Sequence, residues 1–76
     1  MGKGGEFTMK LSLKACRINV KATAKEMAES VGVTEDTIYC WESGKRSPKA
    51  TQLVKILEFF AERGFNVDIN NINFLP

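Results

Sequence analysis

Four stretches of the chain carry apolar residues at helical spacing, each opened by a small hydroxyl residue and most closed by glycine. Leu13, Cys16, Ile18 and Val20 follow Ser12, whose hydroxyl can accept from the free N–H groups of a first turn, so a helix is predicted over Leu13–Asn19. Thr23 with Glu26 three residues on is the reciprocal capping pattern for a second helix, Ala24–Val31, with Met27, Ala28 and Val31 on one face. Gly32 stands where that helix needs a left-handed residue to stop. Thr34 then caps a third helix, Glu35–Ser43, with Ile38 and Trp41 inward and Val33 closing the corner; its opposite face carries Glu35, Asp36, Tyr39 and Cys40. Ser47 and Pro48 read as N-cap and first residue of the longest helix, residues 48–63, ended by Gly64. Leu53, Val54, Leu57, Phe60 and Ala61 form its expected core face, and Ile56 and Phe59 point elsewhere. In the tail, Val67 and Ile69 alternate as in a strand, whereas Asp68 could cap a short fifth helix; the helix is the preferred expectation.

A chain of 76 residues is one domain with a small core. Its formal charge of +2 permits nucleic-acid binding without requiring it, so the placement of the cations has to decide. With no histidine and only Cys16 and Cys40, a four-ligand zinc site would need carboxylates or a second subunit, and both cysteines read as free thiols in a reducing bacterial cytoplasm. No apolar run is long enough to cross a bilayer. The opening "MGKGGEFT" before Met9 reads as an expression-tag leader (residues 1–8) with no ordered structure, leaving residues 9–76 as the domain; a natural arm that touches DNA is the alternative. Neither a glycine-rich phosphate loop nor an evident carboxylate pair is present, so an enzyme is not expected. No cofactor, metal or small-molecule ligand is expected either, because so short a chain leaves little room for a separate pocket.

Ala28 where two helices cross, Gly32 in the turn, and Val33, Ile38 and Trp41 inward are the requirements of a helix-turn-helix that reads DNA. Through "LSLKACRINV", "AKEMAESVGVTEDTIYCWESGKRSP" and "NINFLP" the sequence resembles the Cro and phage-repressor (XRE) family, over nearly all of the chain after Met9. The resemblance implies an all-α, compact five-helix bundle of the lambda-repressor-like type. It also implies a homodimer on two-fold-related double-stranded DNA, acting as a transcriptional repressor or activator. It makes Thr34, Glu35, Asp36, Tyr39 and Cys40 the groove-facing set, and puts Ser43, Lys45 and Arg46 near phosphate. Thr23 and Lys25 join them at the start of the second helix. Arg17 and Glu42 match a partly buried ion pair of the family, whose disruption would cost about 3 to 5 kcal/mol if fully desolvated. The dimer contact is expected in the carboxyl-terminal region, from Phe59 through Phe65 to Phe74.

Three positions depart from the family pattern: Ala24 in place of a common glutamine, Lys21 in place of a common glycine, and the acids Glu35 and Asp36. The acids could merely stabilise a helix start, by about 0.3 to 1 kcal/mol. One of them could instead accept from cytosine N4 in the major groove. They could also mark a scaffold that no longer binds DNA and meets a basic protein partner, as an antitoxin-like or antirepressor-binding module would.

Overall fold

The computed structural model describes residues 11–74. The leader 1–8 and the boundary at Met9 lie outside the described residues. In chain order the elements are β1 (Leu11–Ser12), α1 (Leu13–Asn19), α2 (Ala24–Val31), α3 (Glu35–Ser43), α4 (Ala50–Glu62), a single 3-10 turn (Ile69–Asn71) and β2 (Ile72–Asn73).

Local chemistry explains most of these boundaries. Ser12 Oγ accepts from Ala15 N–H at 3.0 Å and starts α1. Thr23 Oγ1 accepts from Glu26 N–H at 3.0 Å while Glu26 Oε1 accepts from Thr23 N–H at 2.8 Å, closing both halves of the box at α2. At Gly32 the backbone turns to φ 87°, and the N–H groups of Gly32 and Val33 both reach Ala28 O, at 2.8 and 2.9 Å. That left-handed stop lets Thr34, two residues later, cap α3 by accepting from Thr37 N–H at 3.2 Å.

α2 lies between α3 and α4, and the core is the set of side chains where they meet α1. Leu13, Cys16, Met27, Ile38, Ile56 and Phe60 are fully buried, with Val31, Trp41, Phe59 and Ile72 completing the cluster.

Four expectations need correction. Ile18 is 56% exposed, because α1 buries Leu13, Cys16 and Arg17, and a residue one step past Arg17 turns outward. α4 begins at Ala50, with Lys49 rather than Ser47 as N-cap. With Ser47 as cap, the third helical position would be Ala50, which has no side-chain acceptor. With Lys49 as cap that position is Gln52, whose Oε1 accepts from Lys49 N–H at 2.7 Å.

The face of α4 is also rotated from the expected one. Ile56, Phe59 and Phe60 are buried, Leu53 and Leu57 are half-buried, Ala61 is exposed and Val54 is 55% exposed. Finally, there are four α-helices among the described residues rather than five. Asp68 does cap, its Oδ1 accepting from Asn70 N–H at 3.2 Å, but the helix lasts one 3-10 turn. The chain then extends, and β2 pairs in parallel with β1, Leu11 opposite Ile72 and Ser12 opposite Asn73.

Candidate nucleic-acid interface

α3 is held at its corner by a buried ion pair. Arg17 Nε donates to Glu42 Oε2 at 2.6 Å and Nη2 to Oε1 at 3.3 Å, with the two side chains 11% and 6% exposed. The remaining arm, Nη1, donates to Ala22 O at 3.0 Å. One guanidinium therefore fixes the end of α3 and the turn between α1 and α2 together. The Glu42 hydrogen bond pushes the Arg17 pKa up further from an already high value, against the opposing effect of burial.

With Ile38 and Trp41 inward, the other side of α3 is free. Thr34, Glu35, Asp36 and Tyr39 are exposed and Cys40 is half-buried, so the five expected groove-facing residues share one accessible surface. They are also linked in pairs one turn apart. Tyr39 Oη donates to Glu35 Oε2 at 3.3 Å, and Cys40 Sγ lies 4.0 Å from Asp36 Oδ2. Thr34 Oγ1, besides capping, shares a hydrogen bond of 2.9 Å with Thr37 Oγ1.

The expected phosphate-facing residues fall at two other places. After Gly44, the backbone N–H groups of Lys45 and Arg46 both reach Cys40 O, at 3.0 and 3.3 Å, and fold the loop back under the end of α3. Both cations stay exposed there, and Lys49 adds a third exposed cation at the start of α4. Ser43 is exposed too, with its hydroxyl donating to Cys40 O at 3.2 Å. Thr23 and Lys25 are exposed at the start of α2.

Glu26, expected from the sequence only as half of the capping box, also engages the hydroxyl of the expected phosphate-facing Thr23. Its Oε1 takes both the Thr23 N–H and the Thr23 hydroxyl, the latter at 3.2 Å, which are donors a phosphate would use. Those two hydrogen bonds, with a smaller contribution from Arg63, hold its carboxyl below the usual range. The capping-box spacing was the available signal.

The phenylalanines expected at a dimer contact are packed within the monomer. Phe59 is 4% exposed beneath Arg63, whose guanidinium sits 4.7 Å from the ring centroid. Phe65 stacks obliquely on Phe60 at 6.1 Å, and Phe74 is half-buried against the same core. Beside them an open groove lined by Leu57, Glu58, Ala61, Asn66, Val67 and Asp68 runs between α4 and the tail. Cys16 is a core residue whose thiol pKa burial pushes up. Among the described residues no group of His, Cys, Asp or Glu could hold a metal ion, and no helix is long and apolar enough to cross a membrane.

Two short helices joined through a left-handed glycine, the second locked from behind and free in front, define a helix-turn-helix protein. A family model described as a helix-turn-helix matches residues 13–64, and the chain belongs to that family, the Cro/C1-type or XRE helix-turn-helix proteins. The match runs from the start of α1 to the glycine that ends α4. No curated protein and no solved structure gives a significant match. Membership carries a coarse function: the domain is of the DNA-binding kind found in transcription regulators, a family generally not enzymatic.

Proposed function

We propose that this chain is a sequence-specific regulator of transcription in the bacterial cytoplasm, a repressor of the phage or mobile-element type. It inserts α3 into the major groove. The observation that carries this is the accessible outer side of α3, residues 34–40, on a helix anchored from behind by Ile38, Trp41 and the Arg17–Glu42 pair. Thr34, Glu35, Asp36, Tyr39 and Cys40 meet base edges, while Lys45, Arg46 and Ser43 at one end and Lys25 with Thr23 at the other meet phosphate. Glu26 must swing off Thr23 for that second contact to form.

One recognition helix spans few base pairs, so the protein acts as a homodimer on two half-sites about 34 Å apart. The groove beside Leu57 and Ala61, continued by exposed Val54 one turn earlier, supports a contact in the carboxyl-terminal region; half-buried Phe65 and Phe74 support it only as rim.

Selection from random duplexes at two salt concentrations tests this. A two-fold-related consensus, with affinity falling log-linearly as salt rises, is expected. A second reading is favoured by one observation: α3 carries no lysine or arginine, and two exposed acids begin it. On that reading the scaffold binds a basic protein, and no duplex of any sequence binds even in dilute buffer.

A further inference from the structure

The side chains of α3 limit which bases it can read. Arginine or lysine on guanine, and asparagine or glutamine on adenine, are the usual bidentate contacts in the major groove. Residues Glu35–Ser43 include none of these four types. What the exposed face offers instead is the carboxylate oxygens of Glu35 and Asp36, which only accept, beside the hydroxyls of Thr34, Tyr39 and Ser43.

Two base edges present a donor in the major groove: cytosine through N4 and adenine through N6. On adenine the donor is flanked by the acceptor N7, which repels a carboxylate; on cytosine it is flanked by a C–H. The ligand at this face is given by the family match and not by the acids themselves. The acids, with Tyr39, decide its sequence.

Tyr39 gives the Glu35 carboxylate a hydrogen-bond partner one turn away. Its hydroxyl donates to Glu35 Oε2 at 3.3 Å, leaving Oε1 without a hydrogen bond to another side chain on α3. The same bond occupies the one phenolic donor that could otherwise have read an acceptor base.

From this we infer that Glu35 reads the 4-amino group of a cytosine, with Tyr39 as the positioning residue that orients its carboxylate. The inference rests on the regulator reading above. It names the base that the start of α3 selects: the half-site carries a G·C pair there, cytosine on the contacted strand.

The test uses the full chain and the duplex recovered by random selection, with binding measured by fluorescence anisotropy at fixed salt. Wild-type protein is expected to prefer cytosine at one position of each half-site by about 5- to 150-fold over other bases. Replacing that cytosine by 2-pyrimidinone, which lacks the 4-amino group, should abolish the preference. Glu35→Gln, able to donate as well as accept, should shift selection at that position toward adenine. Tyr39→Phe should lower the cytosine preference by about two- to tenfold. It should leave helicity and melting temperature unchanged, which a merely structural role for the ring would not do.

Failure of the two ideas looks different. Absence of binding to every duplex in dilute buffer overturns the regulator reading and this inference with it. Binding with a base preference that survives Glu35→Gln and is indifferent to the 4-amino group overturns the inference alone.

Discussion

At the scale of single residues, two positions show how a local rule and a tertiary demand are traded. Lys21 sits at φ 57°, a conformation that costs an L residue with a Cβ roughly 1 to 2 kcal/mol. It is kept there from both sides: Lys21 N–H donates to Ile18 O at 2.9 Å, and Ala22 N–H donates to Arg17 O at 3.1 Å. Glycine would relieve the strain and give back about 0.4 to 1 kcal/mol in the unfolded chain. Lys21→Gly should therefore stabilise the domain by up to about 1 kcal/mol, raising the melting temperature by no more than about 4 to 8 °C in a calorimeter. Because Lys21 is exposed and outside the interface set, affinity for a selected duplex should hardly change.

Glu26 gives a prediction in pH. Its carboxyl is held below the ordinary value by Thr23, so the sign is that of a depressed acid: the stabilisation is complete above the unfolded pKa, about 4.3, and is lost as pH falls through the lower folded value. Glu26→Gln keeps an oxygen for the cap but not the charge. Its melting temperature should lie below wild type at neutral pH, and the two curves should converge in acid, as followed by circular dichroism. Parallel curves across that window would remove the charge from the explanation.

Among the elements, those with both ends marked by local chemistry were legible in the sequence. α2 and α3 carry a threonine cap at one end and glycine at the other, and α1 carries its serine; each was readable without reference to the rest of the molecule. The outer side of α3 followed too, since Ile38 and Trp41 fix which side turns inward, whereas the expectation that it faces a DNA groove came from the family resemblance. α4 was a different case. Its apolar residues occur on several sides, so more than one stripe is consistent with the pattern. The choice fell to Ile56, Phe59 and Phe60 because α4 packs against α2 and Phe65 of the tail lies on Phe60, and neither neighbour can be read from the helix itself. Opposite results are expected for two substitutions on this helix. Ile56→Ala should lower stability by about 2 to 5 kcal/mol in urea titration. Val54→Lys should stay within about 0.5 kcal/mol in the monomer. In sedimentation it should move any self-association to higher concentration; a Val54→Lys protein that self-associates as tightly as wild type would take this face out of the dimer.

Across the whole molecule, the feature that sequence patterning reached least well is the closure of its two ends. A two-residue parallel pair has almost no signature, since its partners stand at opposite ends of the domain and each is too short for alternation to register. Yet it explains why the tail does not continue as a fifth helix: after Asn71, Ile72 is drawn into the core at 5% exposure, and its backbone takes up the free edge of β1. The tail is thus part of the monomer's fold as well as the neighbour of the proposed contact surface. Deleting everything after Gly64 removes Phe65 from Phe60, Ile72 from the core and the partner of Leu11. Loss of one buried isoleucine alone costs about 2 to 5 kcal/mol, a large share of the about 5 to 15 kcal/mol that a domain has in all. The truncated chain should therefore lose cooperative thermal unfolding together with DNA affinity, whereas Val54→Lys should weaken dimer-dependent binding and leave the transition sharp. Calorimetry alongside sedimentation separates the two. A truncated chain that still melts cooperatively near the wild-type temperature would mean that the β1–β2 closure contributes little and that the tail serves assembly alone.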